Sequence, residues 1–295
     1  MGNLACAYRR AIDSGMAVGE QTGHRHTMNE DISRSVQVCI PWRLLKDRYL
    51  PKVLANRMNP EIGISGDVID SYTKEAFYEV ASLLQNEGLT ISLHAPFYDL
   101  APGGVDRKIL KATRERLQQL FDLVPLFKPV SVVCHTGYDR KRYHEVEDAW
   151  LETSLETWTT LAGHLKGTET TLMIENVYEK SPRMLVRLFD RLDTEQVGFC
   201  FDTGHMHAFS KTDMRGWLNK LGPRIKELHL HDNDGSEDHH LAIGEGDIDF
   251  EPLFEYVDQK GLKPIITIEA HKEKWLWQSI EALSRSECFR RIIGL

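Results

Sequence analysis

The sequence has few cysteines and no closely spaced cysteine pair. The five thiols are Cys6, Cys39, Cys134, Cys200 and Cys288. Their odd number, their wide spacing and the absence of a C-x-x-C motif argue against a disulfide framework and against a zinc site built from thiolates. We therefore expect a cytoplasmic protein that works in a reducing environment.

Long apolar runs and an excess of positive charge are also missing. No stretch approaches the roughly 18 uncharged apolar residues of a membrane span, so we expect no membrane partner. Lys and Arg number 36 against 44 Asp and Glu, which gives a net charge of −8. This balance argues against a nucleic-acid partner, although a local basic strip would leave one open. The sequence is also compatible with a homo-oligomer.

The first 35 residues lack the periodic apolar pattern of a helix or strand. They are polar, and they contain no apolar segment of the signal-peptide type. We expect residues 1–35 to form a poorly ordered N-terminal tail and residues 36–295 to form the ordered domain.

From residue 36 onward, short apolar runs alternate with longer amphipathic ones. The eight strand candidates begin near residues 36, 61, 90, 131, 171, 197, 227 and 265. A helical pattern follows each of them, and this order predicts an α/β protein with a single (β/α)₈ TIM barrel. A doubly wound open sheet uses the same order, but eight units with no leftover domain favour closure.

Polar residues recur at the carboxyl ends of the predicted strands. Side chains alternate between the two faces of a strand, and in strands three to eight the face opposite the apolar one ends in His, Asp or Glu. These six residues are His94, His135, Glu175, Asp202, His229 and Glu269. Barrel enzymes build their sites at this end.

Three further residues belong to the same region. His205 follows Asp202 by three positions, and Asp238 and His240 lie in the loop after strand seven. Nitrogen and carboxylate ligands without thiolates suit a divalent metal such as Zn²⁺, Mn²⁺ or Mg²⁺. Taken singly, each residue has a plainer interpretation: Asp202 could cap the next helix, and a lone histidine is usually a hydrogen-bonded structural residue. Six strands that end in the same way favour a metal site.

Seven short motifs contain these residues. They are Ser92-Leu-His-Ala-Pro-Phe97, Val133-Cys-His-Thr-Gly137, Ile174-Glu-Asn176, Phe201-Asp-Thr-Gly-His205, His229-Leu-His-Asp-Asn-Asp234, Asp238-His-His-Leu-Ala-Ile-Gly-Glu-Gly246 and Ile268-Glu269. Together they resemble the motifs of the xylose-isomerase-like barrel superfamily. That superfamily contains sugar and sugar phosphate isomerases and epimerases, and also endonuclease IV.

The resemblance to the isomerase branch implies one divalent ion and a small carbohydrate substrate. The ion would be held by Glu175, Asp202, His229 and Glu269. The two glutamates would remove and return a proton next to the substrate carbonyl, and His205 would orient the substrate. We expect this function, a metal-dependent isomerase or epimerase.

The resemblance to the endonuclease branch implies three zinc ions and a phosphodiester substrate. One ion would be held by His94, His135 and Glu175, a second by Glu175, Asp202, His229 and Glu269, and a third by His205, Asp238 and His240. Every position is matched, so this alternative stays open. The acidic loop 232–238 and the shortness of the one compact basic run, 140–142, favour the isomerase over DNA cleavage.

Overall fold

Eight parallel strands form a closed barrel in the part of the chain that the structure describes. The structure is a computed structural model that describes residues 23–192 and 195–295, with side chains from residue 28 onward. The strands are β1 (Gln37–Pro41), β2 (Asn59–Gly63), β3 (Ser92–His94), β4 (Ser131–His135), β5 (Thr171–Glu175), β6 (Val197–Asp202), β7 (Ile225–Leu230) and β8 (Ile265–Ile268). Each strand pairs with its sequence neighbours, and β8 pairs with β1. The predicted (β/α)₈ barrel is confirmed.

Helices follow the strands and cover the outside of the barrel. They are α1 (Gly23–Ser35), α2 (Trp42–Leu44), a π-helical turn (Leu45–Tyr49), α3 (Leu50–Asn56), α4 (Gly66–Ser71), α5 (Lys74–Asn86), α6 (Arg107–Phe121), α7 (Val124–Phe127), α8 (Arg140–Tyr143), α9 (Glu147–Gly163), α10 (Arg183–Phe189), α11 (Thr203–Phe209), α12 (Met214–Leu221), a 3₁₀ turn (Gly222–Arg224), α13 (Glu251–Gln259), α14 (Glu273–Leu283) and α15 (Glu287–Ile293). None of these helices is long and apolar enough to cross a membrane.

The alternation of side chains along the strands divides the core into two parts. Leu172 and Ile174 of β5 belong to a large apolar cluster between the strands and the helices. Met173 points the other way and joins a small cluster inside the barrel, with Val133 and Cys200. The next inward position on β5 is Glu175. The predicted alternation is confirmed, and it places the polar strand ends directly above the inner apolar cluster.

The segment before β1 differs from the expected tail. Residues 1–22 lie outside the described residues, so for them the tail stays a prediction. Helix α1 packs against α14, and its Ile32 and Ser33 are 0 % and 2 % exposed. The side chain of Asn59 donates a hydrogen bond of 2.7 Å to the carbonyl of Arg34. One buried isoleucine anchors this helix without a repeated apolar face, so the periodic pattern could not reveal it.

Candidate metal centre

The structure brings all nine predicted site residues together at the carboxyl end of the barrel. Each has a nitrogen or oxygen atom within 3.3 Å of an opposite-charge partner in the set. They come from the ends of β3 to β7, from the position directly after β8, from the start of α11 and from the loop after β7. These segments meet at one end because all strands are parallel. The arrangement follows from the inward-facing register of the strand ends.

Glu175 lies at the centre of the cluster and is fully buried. Its Oε2 atom is 3.2 Å from Nε2 of His94 and 3.2 Å from Nε2 of His135. Its Oε1 atom is 3.1 Å from Nδ1 of His205 and 3.6 Å from Nδ1 of His229. Burial alone would raise the pKa of this carboxyl, but the surrounding histidines hold the pKa well below its usual range. One carboxylate therefore serves two separate pairs of histidines.

Asp202 both caps a helix and faces the cluster. Its Oδ1 atom accepts a hydrogen bond of 2.6 Å from the backbone N–H of His205, at the start of α11. Its Oδ2 atom is 3.3 Å from Nδ1 of His205 and 3.2 Å from Nε2 of His231. The side chain of Asn176 fixes the backbone here, since it donates to the Asp202 carbonyl and accepts from the Asp202 N–H. One oxygen atom of Asp202 thus caps the helix, and the other faces the cluster.

The imidazole of His229 is held from both sides. Nε2 is 3.1 Å from Oε2 of Glu61, a fully buried carboxylate that also accepts a hydrogen bond from Thr267. Nδ1 is 3.1 Å from Oε1 of Glu269 and 3.6 Å from Oε1 of Glu175. If the Nε2 proton is donated to Glu61, the Nδ1 lone pair would be directed into the site. This is how a buried carboxylate orients a metal-binding histidine.

A second group of ligands gathers around Asp238. Atoms of His205, His231, Asp238 and His240 all lie within 4.8 Å of one another. Oδ2 of Asp238 is 3.3 Å from Nε2 of His205 and 3.1 Å from Nε2 of His240. The rings of His231 and His240 are parallel, with centroids 3.8 Å apart. The predicted members of this group are therefore joined by a fourth, His231.

The loop after β7 is held in place by Asp232, a residue that the sequence analysis did not single out. Its buried carboxylate accepts N–H groups from Gly244, at 2.8 Å, and from Ile248, at 3.1 Å. Its backbone pairs with Leu241 in an isolated antiparallel bridge. At Gly246 a Cβ atom would lie 2.4 Å from the same carboxylate, so only glycine permits this approach. These contacts fix the segment that presents Asp238 and His240.

Gly204 is required by its neighbour His231. A Cβ atom at position 204 would lie 1.9 Å from Cε1 of the His231 ring, well inside contact distance. His231 is 1 % exposed and has no other space to move into. The start of α11 therefore passes directly against this ring, and the glycine in the Asp-Thr-Gly-His motif is explained by packing.

The donor set fits a divalent cation. Within the described residues, five buried polar atoms of the site make no hydrogen bond although ionisable neighbours surround them. These atoms are Glu175 Oε1, His229 Nδ1, His231 Nδ1, Asp238 Oδ1 and His240 Nδ1. Leaving a buried polar atom unsatisfied costs about 1–3 kcal/mol, and a shared cation would satisfy several at once. Imidazole and carboxylate ligands without thiolates suit Zn²⁺ or Mn²⁺.

The carboxylates of the site raise the pKa of two of its histidines, His94 and His231. For His94, burial lowers the pKa, but the hydrogen bond and charge of Glu175 outweigh burial and raise the pKa to about 9. The pKa of His231 is likewise raised to about 9, because Asp202 and Asp238 outweigh its burial. A bound cation would replace these protons, which couples metal binding to pH.

Three further buried acids were not predicted as part of the site. Glu61 and Glu227 lie on inward positions of β2 and β7, and burial together with the charge of Glu61 raises the pKa of Glu227 to about 8. Glu179 accepts hydrogen bonds from the Thr136 hydroxyl and, at 2.7 Å, from the Val177 N–H. Burial raises its pKa to about 7. For Glu61 and Glu227 the available signal was a glutamate within a strand, and it did not reveal the partners. Glu179 lies between β5 and α10, where no strand pattern applies.

Residues 61–287 match the family described as xylose isomerase-like TIM barrel. The chain belongs to this family, as its motifs indicated. Among solved structures it resembles a D-tagatose 3-epimerase-like protein, with a TM-score of 0.73 and 22 % identity over 88 % of this chain and 98 % of that one. It also resembles a Thermus thermophilus protein soaked with ZnCl₂. The TM-score is 0.70 and the identity is 23 %, and the match covers 85 % of this chain and 100 % of that one. At these identities the likeness shows the fold.

Curated relatives include proteins of two kinds. An uncharacterized protein of Methanocaldococcus jannaschii is 28 % identical over 186 residues, which is 61 % of this chain and 64 % of the relative. A probable endonuclease 4 of Mycobacterium ulcerans is 27 % identical over 187 residues. These residues are 59 % of this chain and 71 % of the relative. The chain thus spans less than two thirds of the first relative's length. The curated relatives thus include proteins named endonuclease 4, and the structural neighbours include proteins named for sugar epimerisation.

Proposed function

We propose that this protein is a divalent-metal-dependent isomerase or epimerase that acts on a sugar or sugar phosphate. One observation carries the proposal: the carboxylates of Glu175 and Glu269 approach the same atom, Nδ1 of His229, at 3.6 and 3.1 Å. Glu175 ends β5 and Glu269 follows β8, so the two approach from different strands. Two carboxylates that face one point can remove a proton from a bound substrate and return it.

Glu175, Asp202, His229 and Glu269 would hold the ion. When bound there, a divalent cation supplies Lewis acidity that polarises a carbonyl oxygen and acidifies the adjacent C–H. His205 is fixed for substrate contact, because its Nδ1 atom lies 3.0 Å from the carbonyl of Asn176. Its Nε2 atom faces Oδ2 of Asp238 at 3.3 Å, and this nitrogen would contact a substrate hydroxyl in place of that carboxylate.

The structural neighbour named for D-tagatose 3-epimerase supports this proposal, since its fold matches over nearly its whole length. The test is the exchange of solvent deuterium into a panel of ketoses and their phosphates. Glu175→Gln and Glu269→Gln keep the size of the side chain and one oxygen ligand, but they cannot carry the proton. A positioned base is worth about 10²- to 10⁴-fold in rate, so exchange should fall at least that far in each variant.

The exchange experiment needs a metal measurement and a matched control. Metal content is determined in the same samples, so that lost exchange with retained metal assigns the proton-transfer role. Glu251→Gln, an exposed change at the start of α13, should leave exchange unchanged. The absence of exchange into every sugar of the panel would overturn the proposal.

A second candidate is a multinuclear-zinc phosphodiesterase of the endonuclease IV type. Two observations favour it. The ligands around Asp238 form a second group, which a single ion held by Glu175, Asp202, His229 and Glu269 would not use, and one relative is named probable endonuclease 4. Elemental analysis separates the two, because one ion per chain favours isomerisation and two or three favour phosphoester hydrolysis. Cleavage of abasic-site DNA without any sugar exchange would promote this candidate.

A further inference from the structure

A basic cavity is lined by residues of the segments that follow β4 and β5, the two strands that end in His135 and Glu175. Its volume is about 320 Å³. It is lined by Tyr138, Arg140, Lys180, Ser181, Arg183 and Met184. Half of these residues are cationic, in a chain whose net charge is −8.

The cations of this cavity are only partly neutralised. Arg183 pairs with Glu147 at 2.5 Å, and Glu147 also accepts the hydroxyl of Tyr138 at 2.6 Å. Within residues 23–192 and 195–295, neither Arg140 nor Lys180 forms an ion pair with an acidic side chain. The Lys180 ammonium donates to the backbone carbonyl of Phe209 at 2.6 Å, which leaves its charge unbalanced. The cavity wall therefore keeps a net positive charge.

The cavity is close to the metal centre along two loops. Tyr138 follows His135 by three residues, which span at most about 11 Å, and Lys180 follows Glu175 by five. The two loops are tied together beneath the cavity, because the Thr136 hydroxyl donates to the buried carboxylate of Glu179. The Glu179 carboxylate therefore forms its hydrogen bonds with Thr136 and Val177 and not with the cations of the cavity. Phe209 lies between the metal centre and the cavity, because its ring centroid is 6.0 Å from that of His205 and 6.0 Å from the Lys180 ammonium. A ligand that joins the candidate metal centre to the cavity would therefore span a short distance past this ring.

We propose that this cavity binds the phosphate group of a phosphate ester whose reacting end lies at the metal centre. Guanidinium and ammonium groups bind phosphate oxygens with charge-assisted hydrogen bonds, and the Ser181 hydroxyl adds a neutral donor. The inference rests on the proposed function in one respect, since the phosphate belongs to the molecule that is turned over. A phosphorylated sugar and the backbone of DNA both supply this group.

The test measures binding without turnover on the zinc-loaded protein. Ribose 5-phosphate and ribose form a matched pair of probes, titrated by calorimetry. The wild type should bind the phosphate at least about tenfold more tightly, which is about 1.4 kcal/mol. The double variant Arg140→Glu/Lys180→Glu should lose this preference. Lys166→Glu, an exposed change between α9 and β5 at the opposite end of the barrel, should retain it.

A short duplex with an abasic site separates the two sources of phosphate. If the double variant weakens duplex binding at least tenfold while ribose 5-phosphate and ribose bind alike, the cavity serves a nucleic acid. If the double variant binds all three probes like the wild type, the proposal is overturned. It is also overturned if the wild type shows neither a phosphate preference nor duplex binding. Deuterium exchange into unphosphorylated ketoses tests the proposed function separately. These sugars carry no phosphate, so the result does not depend on phosphate binding in the cavity.

Discussion

Nε2 of His229 lies 3.1 Å from Oε2 of Glu61, although the two residues are 168 positions apart in the chain. Both side chains are completely buried inside the barrel. The contact determines which nitrogen of His229 faces the other site residues. We therefore propose that Glu61 is a positioning residue, which orients an imidazole that would hold the metal.

Replacement of Glu61 by glutamine should weaken metal binding without unfolding the protein. Glutamine keeps the size of the side chain but removes the charge that holds the His229 proton on Nε2. Loss of such a partner typically costs about 10- to 100-fold in metal affinity. Competition with a chromogenic chelator measures the change, and Glu115→Gln, an exposed position on α6, is the matched control. Equal affinities for Glu61→Gln and wild type would contradict the positioning role.

Replacement of His94 by alanine distinguishes one ion from several. If a single ion is bound by Glu175, Asp202, His229 and Glu269, His94→Ala should retain the metal and lose less exchange than Glu175→Gln. His94 is not one of those four residues, although it lies 3.2 Å from Oε2 of Glu175 and a ring nitrogen of it lies within 4.8 Å of His229 and Glu269. Elemental analysis gives the number of ions per chain, with the exposed His164→Ala as reference. A loss of one ion per chain in His94→Ala would show a multinuclear centre instead.

The carboxyl group of Glu179 should make stability depend on pH in the metal-free protein. Burial raises its folded-state pKa from 4.5 to about 7. Between these values the folded protein holds a proton that the unfolded chain releases, so this group's stabilisation is present below about pH 4.5. It is lost as the pH rises through about 7. The loss is at most on the order of 3 kcal/mol.

Urea unfolding of wild type and Glu179→Gln at several values between pH 4.5 and 8 checks this expectation. The wild type should lose free energy of unfolding relative to the variant as the pH rises, because glutamine does not titrate. Glu169→Gln, an exposed change near the start of β5, should show no such trend. A constant difference between wild type and Glu179→Gln would contradict the assignment.

The anchoring of α1 by Ile32 predicts a large loss of stability on truncation of this side chain. Ile32→Ala should lower the free energy of unfolding by about 2–5 kcal/mol, because Ile32 is fully buried. Arg34→Ala, at a side chain that is 50 % exposed, should change stability by less than about 0.5 kcal/mol. Denaturant unfolding measures both. A small effect of Ile32→Ala would mean that α1 contributes little to the fold.

The strand ends were predictable because two local rules, alternation along a strand and parallel strand direction, place His94, Glu175 and Glu269 at one end of the barrel. The contact of Glu61 with His229 was not predictable in this way. It depends on which strands lie opposite each other across the barrel, and no local pattern encodes that. Ile32 was missed for a related reason, since a single buried side chain has no period.

The contact between Gly204 and His231 constrains the order in which these positions can change during evolution. A side chain at position 204 cannot be accommodated while the imidazole occupies its present place. Position 231 can change first, because a smaller residue there clashes with nothing at 204. Descendants of this sequence that carry alanine at position 204 should therefore already have lost the histidine at 231, and the reverse order should be absent among them.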